Sequence, residues 1–170
     1  MQTVKLEKVT LNIGAGEGGE KLQNAKKLLE NISASKPVIT KAKKREPTFK
    51  MRKGDPIGVK VTLRGEAAKD VLKRALESRD LYLPGTSFDN YGNVSFGVKE
   101  YIDFPGIKYD PKIGMLGFDV CVTMKKAGKR IGLRKIRASK PHRKQRVSSQ
   151  EAQEYMVKNF GAILQLAERE

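Results

Sequence analysis

Gly14, Gly16 and Gly19 fall at the spacing G-x-G-x-x-G, directly after an alternating stretch and directly before a helical one. In that setting backbone amides at a helix N-terminus cradle the pyrophosphate of a dinucleotide. Lys41, at the exit of the next apolar stretch, suits a 2′-phosphate, so a small nucleotide-dependent oxidoreductase is one reading. Against it, Glu17 and Glu20 put carboxylates where pyrophosphate would sit, and no acid follows Thr40-Lys41 to hold a ribose. The rest of the chain also lacks the repeated strand-helix units of such a fold. Glycines making a tight strand-to-helix turn where backbone passes closely are the simpler account.

The other reactive groups stand alone. His142 is the one histidine and Cys121 the one cysteine, which excludes zinc sites built on Cys and His and leaves no disulfide within the chain. His142 lies among cations in Lys-Pro-His-Arg-Lys and reads as a contact or packing residue rather than a base. Asp103, Asp110 and Asp119 are single carboxylates near strand ends, with no spacing that selects an acid/base pair. Cys121, inside an alternating stretch, reads as a small packing residue. The expectation is no catalytic residue, no metal, no cofactor and no small-molecule substrate.

Charge is the stronger signal. The 170 residues carry 35 Lys and Arg against 19 Asp and Glu, a formal net charge of +16. The excess is grouped: residues 36–64 hold ten basic and two acidic residues, and residues 125–146 hold eleven basic residues and no acid. The remainder is slightly acidic. Two such runs are either solvated loops or surfaces for a polyanion, whose condensed counterions are released as lysines and arginines neutralise phosphates. Two runs in one short chain favour nucleic acid. No stretch approaches the ~20 apolar residues of a membrane span, and the N-terminus lacks the apolar run of a signal peptide, so a soluble, intracellular protein with no membrane partner is expected.

The elements that would position these groups follow from periodicity. Val9, Leu11 and Ile13 alternate with Lys8, Thr10 and Asn12, as in a strand buried on one face. From Glu20 to about Ser33, Leu22, Ala25, Leu28, Leu29 and Ile32 make one helical stripe. Residues 37–40 read as a short strand, and the basic loop 41–56, broken by Pro47, Gly54 and Pro56, as a long exposed loop without a period. Val59, Val61 and Leu63 face inward in a third strand with Lys60, Thr62 and Arg64 outward. A second helix over 66–79 buries Ala67, Ala68, Val71, Leu72, Ala75 and Leu76. Residues 88–99 read as a hairpin around Asp89-Asn90-Tyr91-Gly92-Asn93, with Val94, Phe96 and Val98 inward. Phe118, Val120, Val122 and Met124 make a last strand. The basic segment 125–146 is expected to gain order only from its partner. Ser148 or Ser149 caps a third helix that buries Ala152, Tyr155, Met156 and Phe160.

Together these predict a single α+β domain over residues 1–170: an antiparallel sheet with helices packed on one face, a polar basic face left open to RNA, and long basic loops. Folded RNA suits that face, because RNA helices are read mostly through shape, phosphate and 2′-hydroxyl contacts.

Ordered blocks along the chain sharpen this reading. Residues 9–17 (VTLNIGAGE), 36–44 (KPVITKAKK), 49–58 (FKMRKGDPIG), 61–65 (VTLRG) and 88–100 (FDNYGNVSFGVKE) resemble the large-subunit ribosomal protein family that binds 5S ribosomal RNA. Residues 107–114 (IKYDPKIG) and the basic stretch ending near His142-Arg143 resemble its archaeal and eukaryotic branch. The likeness spans nearly the whole chain, in order.

The resemblance implies a cytoplasmic ribosomal protein of the central protuberance and no enzyme. It implies contact with 5S rRNA, large-subunit rRNA, P-site tRNA and a small-subunit head protein at an intersubunit bridge. Family residues that contact 5S rRNA match Asn12 and Thr62, outward residues also on the alternating pattern. With Lys36, Lys60 and Arg64 they form the expected rRNA face, joined by Lys125, Lys126, Lys129, Arg130, Arg134, Lys135, Arg137, His142 and Arg143 in the second basic segment. Ser35 stands where the family has a longer Gln. The loop that reaches tRNA in the family matches Lys43, Lys44, Arg45, Lys50, Arg52 and Lys53.

Overall fold

The computed structural model describes residues 3–16 and 18–165. Among these, seven strands and three α-helices follow in the order β1 (Lys5–Gly14), α1 (Glu20–Ser33), β2 (Val38–Lys41), β3 (Pro56–Leu63), α2 (Glu66–Glu77), β4 (Tyr82–Pro84), β5 (Val94–Val98), β6 (Phe118–Lys125), α3 (Ser149–Phe160) and β7 (Ile163–Gln165). Five strands form one sheet in the order β2-β3-β1-β6-β5, every neighbouring pair antiparallel. The α+β class and the antiparallel sheet are as expected.

The inward residues of β1, β3, β5 and β6 join one core cluster with Leu22, Leu28, Leu29 and Ile32 of α1, Val71, Leu72 and Leu76 of α2, and Ala152 and Met156 of α3. All three helices therefore cover the same face. Removing this apolar surface from water at roughly 25 cal/mol per Å² drives the packing, and the alternation in each strand leaves polar residues facing the other way. Arg74 joins α2 to the end of α1. Its guanidinium donates to the carbonyl of Ile32 at 3.2 Å and lies 5.0 Å from the centre of the Phe104 ring. A cation is thereby set at the C-terminus of α1, whose last turn has no basic residue of its own.

Several expectations need correction. Ala67 is exposed, because it lies in the first turn of α2 beside a buried stripe that starts at Ala68, and the helix ends at Glu77 and not at residue 79. Residues 88–99 make a turn with one strand arm, not a full hairpin: Phe88 meets Val94 in an isolated bridge and β5 pairs instead with β6. The short parallel pair β4-β7 leaves no mark in the periodicity, since three-residue strands have too little alternation to register. Loop 41–56 has internal order. Ala42 and Asp55 extend the β2-β3 ladder, Glu46 and Met51 exchange both backbone hydrogen bonds at 3.1 Å, and Lys50 takes a positive φ in the turn between them.

Residues 125–146 are also held to the body, contrary to the expectation that order comes only from a partner. Lys126, 5% exposed, pairs with Glu151, and Lys129 pairs with Glu7. Glu7 is available because β1 shifts register between Leu6 and Lys8, turning the intervening residue out of the ladder.

Candidate nucleic-acid interface

Two donors of the glycine turn are already used by the sheet. The N–H groups of Ala15 and Gly16 both donate to the carbonyl of Ile57, at 3.0 and 3.1 Å, so the start of the turn is tied to β3. Gly58, in β3 opposite Gly14, shows why backbone must pass closely: a Cβ there would lie 2.7 Å from the carbonyl oxygen of Ile13. The sheet is antiparallel, whereas the dinucleotide fold requires a parallel one. Glu20 opens α1, and Glu17 lies outside the described residues. The motif is structural.

The open face of the sheet is laid out in rows by strand register. One row runs Val38, Lys60, Asn12, Asp119 and Gly97. The next runs Thr62, Thr10, Cys121 and Ser95. Lys8 opposite Thr123 begins a third. Lys60, Thr62 and Arg64 are exposed and Asn12 is half-buried between its neighbours. The face is graded: cations and hydroxyls lie on the β3-β1 side, and a carboxylate and a thiol on the β6 side. Periodicity singled out the outward residues of each strand, but only register sets Asp119 beside Asn12.

Cys121 requires a correction. It is exposed on this outer face and not packed inside. The inward set Phe118, Val120, Val122 and Met124 already implied as much. Partial burial, aided by the nearby Asp119 carboxylate, pushes its thiol upward from the usual range.

Lys36 is exposed just before β2, at the margin of the sheet. Lys43, Lys44, Arg45, Lys50, Arg52 and Lys53 are all exposed on loop 41–56, which projects from the β2-β3 end of the sheet. The returning arm of this loop is stabilised from within: the Asp55 carboxylate accepts from the Arg52 N–H at 2.8 Å. Its cations thus stand on a shaped extension.

Within residues 125–146 the basic residues divide into two groups. Arg130, Arg134, Lys135, Arg137, His142 and Arg143 are exposed. Lys126 and Lys129 instead bind the segment to the domain. Partial burial raises the Glu7 carboxyl, but the hydrogen bond from Lys129 and the fields of Lys129, Lys125 and Arg64 outweigh it, so the net direction is downward. Lys126 serves Glu151, and its buried amine is withdrawn from the surface that the sequence suggested. His142 holds a single turn: its Nδ1 accepts from the Lys144 N–H at 3.3 Å. Among the described residues no cluster of three His, Cys, Asp or Glu could hold a metal ion, and no helix is long and apolar enough to cross a membrane.

Comparison with known proteins supplies the deciding observation. Residues 56–155 match the model for the C-terminus of the ribosomal L5 family, and residues 1–52 match that of ribosomal protein L5. The chain belongs to the ribosomal protein L5 family. It is 47% identical over 165 residues to the large ribosomal subunit protein uL5 of Methanosphaera stadtmanae, an alignment covering 97% of this chain and 98% of that one. Against the uL5 of Sulfolobus acidocaldarius it is 46% identical over 164 residues, 96% of this chain and 92% of the relative. The uL5 of Pyrobaculum aerophilum is 47% identical over 161 residues, with 95% and 90% covered. Membership makes the chain a structural constituent of the large ribosomal subunit, in the ribosome and the cytoplasm, associated with rRNA and not an enzyme. The two family models meet within loop 41–56, between residues 52 and 56, yet β2 and β3 on either side lie adjacent in one sheet.

Proposed function

We propose that this protein binds 5S rRNA through the outer face of its sheet and attaches it in the central protuberance of the large subunit. The observation that carries the reading is the rigid array Lys60-Asn12 and Thr62-Thr10 in adjacent rows of β3 and β1. Strands space such groups at fixed intervals, so ribose hydroxyls and phosphates of a folded RNA meet donors and acceptors already in position. Lys36 and Arg64 extend this surface with charge. The exposed cations at Arg130, Arg134, Lys135, Arg137 and Arg143, with His142, meet large-subunit rRNA. Loop 41–56 reaches the backbone of P-site tRNA through Lys43, Lys44, Arg45, Lys50, Arg52 and Lys53. The protein also bridges to a protein of the small-subunit head.

The test is affinity for 5S rRNA against an equal-length duplex RNA over a salt series. Nonspecific charge pairing fades steeply as salt rises, whereas shape-specific contacts persist. Preference for 5S rRNA that holds or grows with salt supports the reading. Equal affinities that vanish together overturn it and leave only a cationic surface.

A further inference from the structure

A cavity of about 310 Å³ opens between the turn at residues 89–93, the end of β6 and the second basic segment. It is lined by Tyr91, Asn93, Met124, Lys125, Gln145 and Val147, among others. Its position is off the sheet face, so neither the 5S surface nor loop 41–56 accounts for it. Its volume lies at the lower end of the range for small-molecule sites, roughly 300 to 1,000 Å³, enough for one nucleobase with part of its ribose.

Two facing walls are held in place. Asp89 fixes the turn, accepting through one carboxylate oxygen from the N–H groups of Tyr91 at 2.8 Å and Asn93 at 2.7 Å, and through the other from Asn93 Nδ2 at 2.7 Å. Gly92 presses onto Val147 so tightly that an added Cβ would lie 2.5 Å from its Cγ1. The opposite wall is tied down by Lys126 to Glu151 and by Lys129 to Glu7. The cavity is therefore formed before any ligand arrives.

Its lining combines three kinds of group that recognise an unpaired nucleotide. Tyr91, 64% exposed, offers a free aromatic face, and extruded bases of RNA stack on such rings. Met124 and Val147 give a dry apolar floor. The Gln145 amide makes no hydrogen bond with the described residues, and Asn93, held through its Nδ2, keeps its carbonyl oxygen as an acceptor. Amide groups can pair with base edges in two places at once. Lys126 and Lys129 are neutralised by their glutamates, but Lys125 and Arg146 at the rim form no ion pair among the described residues and stand ready for the flanking phosphates.

We infer that this cavity captures a single nucleotide extruded from rRNA, its base stacked on Tyr91 and read by Gln145 and Asn93, its phosphates held by Lys125 and Arg146. The inference rests on the reading of the protein as rRNA-binding, and deepens it by naming a bulged or flipped nucleotide as a ligand separate from 5S rRNA on the sheet.

Two RNA duplexes of equal length, one fully paired and one carrying a single 2-aminopurine bulge, test it. The bulged duplex is expected to bind at least fivefold more tightly, since stacking one base on an aromatic side chain is worth ~1 to 3 kcal/mol, and 2-aminopurine emission should be quenched on binding. Tyr91→Ala and Gln145→Ala should each erase most of the preference, and Tyr91→Phe should keep it. Equal affinity for both duplexes, or a preference undiminished in Tyr91→Ala, overturns the inference. The same proteins are titrated with 5S rRNA. Retained 5S binding without bulge preference refutes the cavity alone, whereas bulge preference without 5S binding refutes the sheet-face reading and leaves the cavity standing.

Discussion

Lys126 and Glu151 lie 2.6 Å apart, Nζ to Oε1, and the same carboxylate accepts from the Ser148 N–H through Oε2 at 3.0 Å. The Ser148 hydroxyl accepts in return from the Glu151 N–H at 3.3 Å, completing a capping box at the start of α3. One glutamate therefore joins the end of β6, the second basic segment and the last helix. A lysine counted from sequence among RNA-binding charges is instead a structural tie.

This tie should be sensitive to acid. The hydrogen bond from Lys126, then that from the Ser148 backbone, hold the Glu151 carboxyl below its ordinary value of 4.5. A lowered folded pKa contributes stability that is present above the unfolded pKa and is lost as pH falls through the folded one. Thermal melts of the wild type and Glu151→Gln from pH 7 to pH 2.5 should therefore differ most at neutral pH and converge in acid. A gap that stays constant would show that the carboxylate charge does not matter. Ser148→Ala removes the other half of the box and should cost about 1 kcal/mol.

Gly92 and Gly16 have nearly equal φ, +71° and +72°, but different surroundings. An Ala at Gly92 meets Val147 at 2.5 Å as well as the left-handed strain, while nothing lies within 4 Å of a Cβ at Gly16. Gly92→Ala should destabilise by about 2 to 4 kcal/mol, and Gly16→Ala by about 1 to 2 kcal/mol from strain alone. Urea midpoints with unchanged slopes measure the difference.

Asn12→Ala combined with Thr62→Ala should weaken 5S rRNA binding about tenfold or more, at roughly 1 kcal/mol per lost hydrogen bond. Thr62 is exposed and Asn12 half-buried on the outer face, so the melting temperature should move little. Filter binding with a parallel melt separates the two effects, and unchanged affinity would count against the sheet face.

Replacing residues 44–53 by a direct join leaves the ladder at Ala42 and Asp55 in place. The shortened protein should fold, keep 5S rRNA affinity and lose contact with tRNA, read as weakened crosslinking to P-site tRNA in reconstituted subunits. A fall in 5S affinity would show that the basic surface is divided differently.

Cys121 reports on the same face. It sits between Thr10 and Ser95 in the sheet register, and burial with the Asp119 charge disfavours its thiolate. Iodoacetamide should label it more slowly than a free cysteine at pH 8, and slower still once 5S rRNA is bound. Labelling that ignores the RNA would move the contact away from β6.

Period and punctuation carried much of this molecule in its sequence. The stripe from Leu22 to Ile32, the alternation in residues 9–13 and 59–63, and the cap at Ser148 are local patterns whose burial follows from strand and helix geometry alone. The charge in two segments, and the ordered blocks from residue 9 to residue 143, likewise point to RNA and to a ribosomal family. Tertiary structure decided what depends on partners distant in the chain: that Asp119 lies beside Asn12, that Ile57 uses the amides of the glycine turn, and that Gly92 closes on Val147 to shape a cavity. It also divided the lysines. Lys126 and Lys129 look like Arg130 and Lys135 in a basic run, because a charge contributes the same to composition whether it faces water or a glutamate. Which lysines are neutralised is set by Glu7, turned out of the ladder by a register shift, and by Glu151, whose helix end tertiary packing brings beside the end of β6.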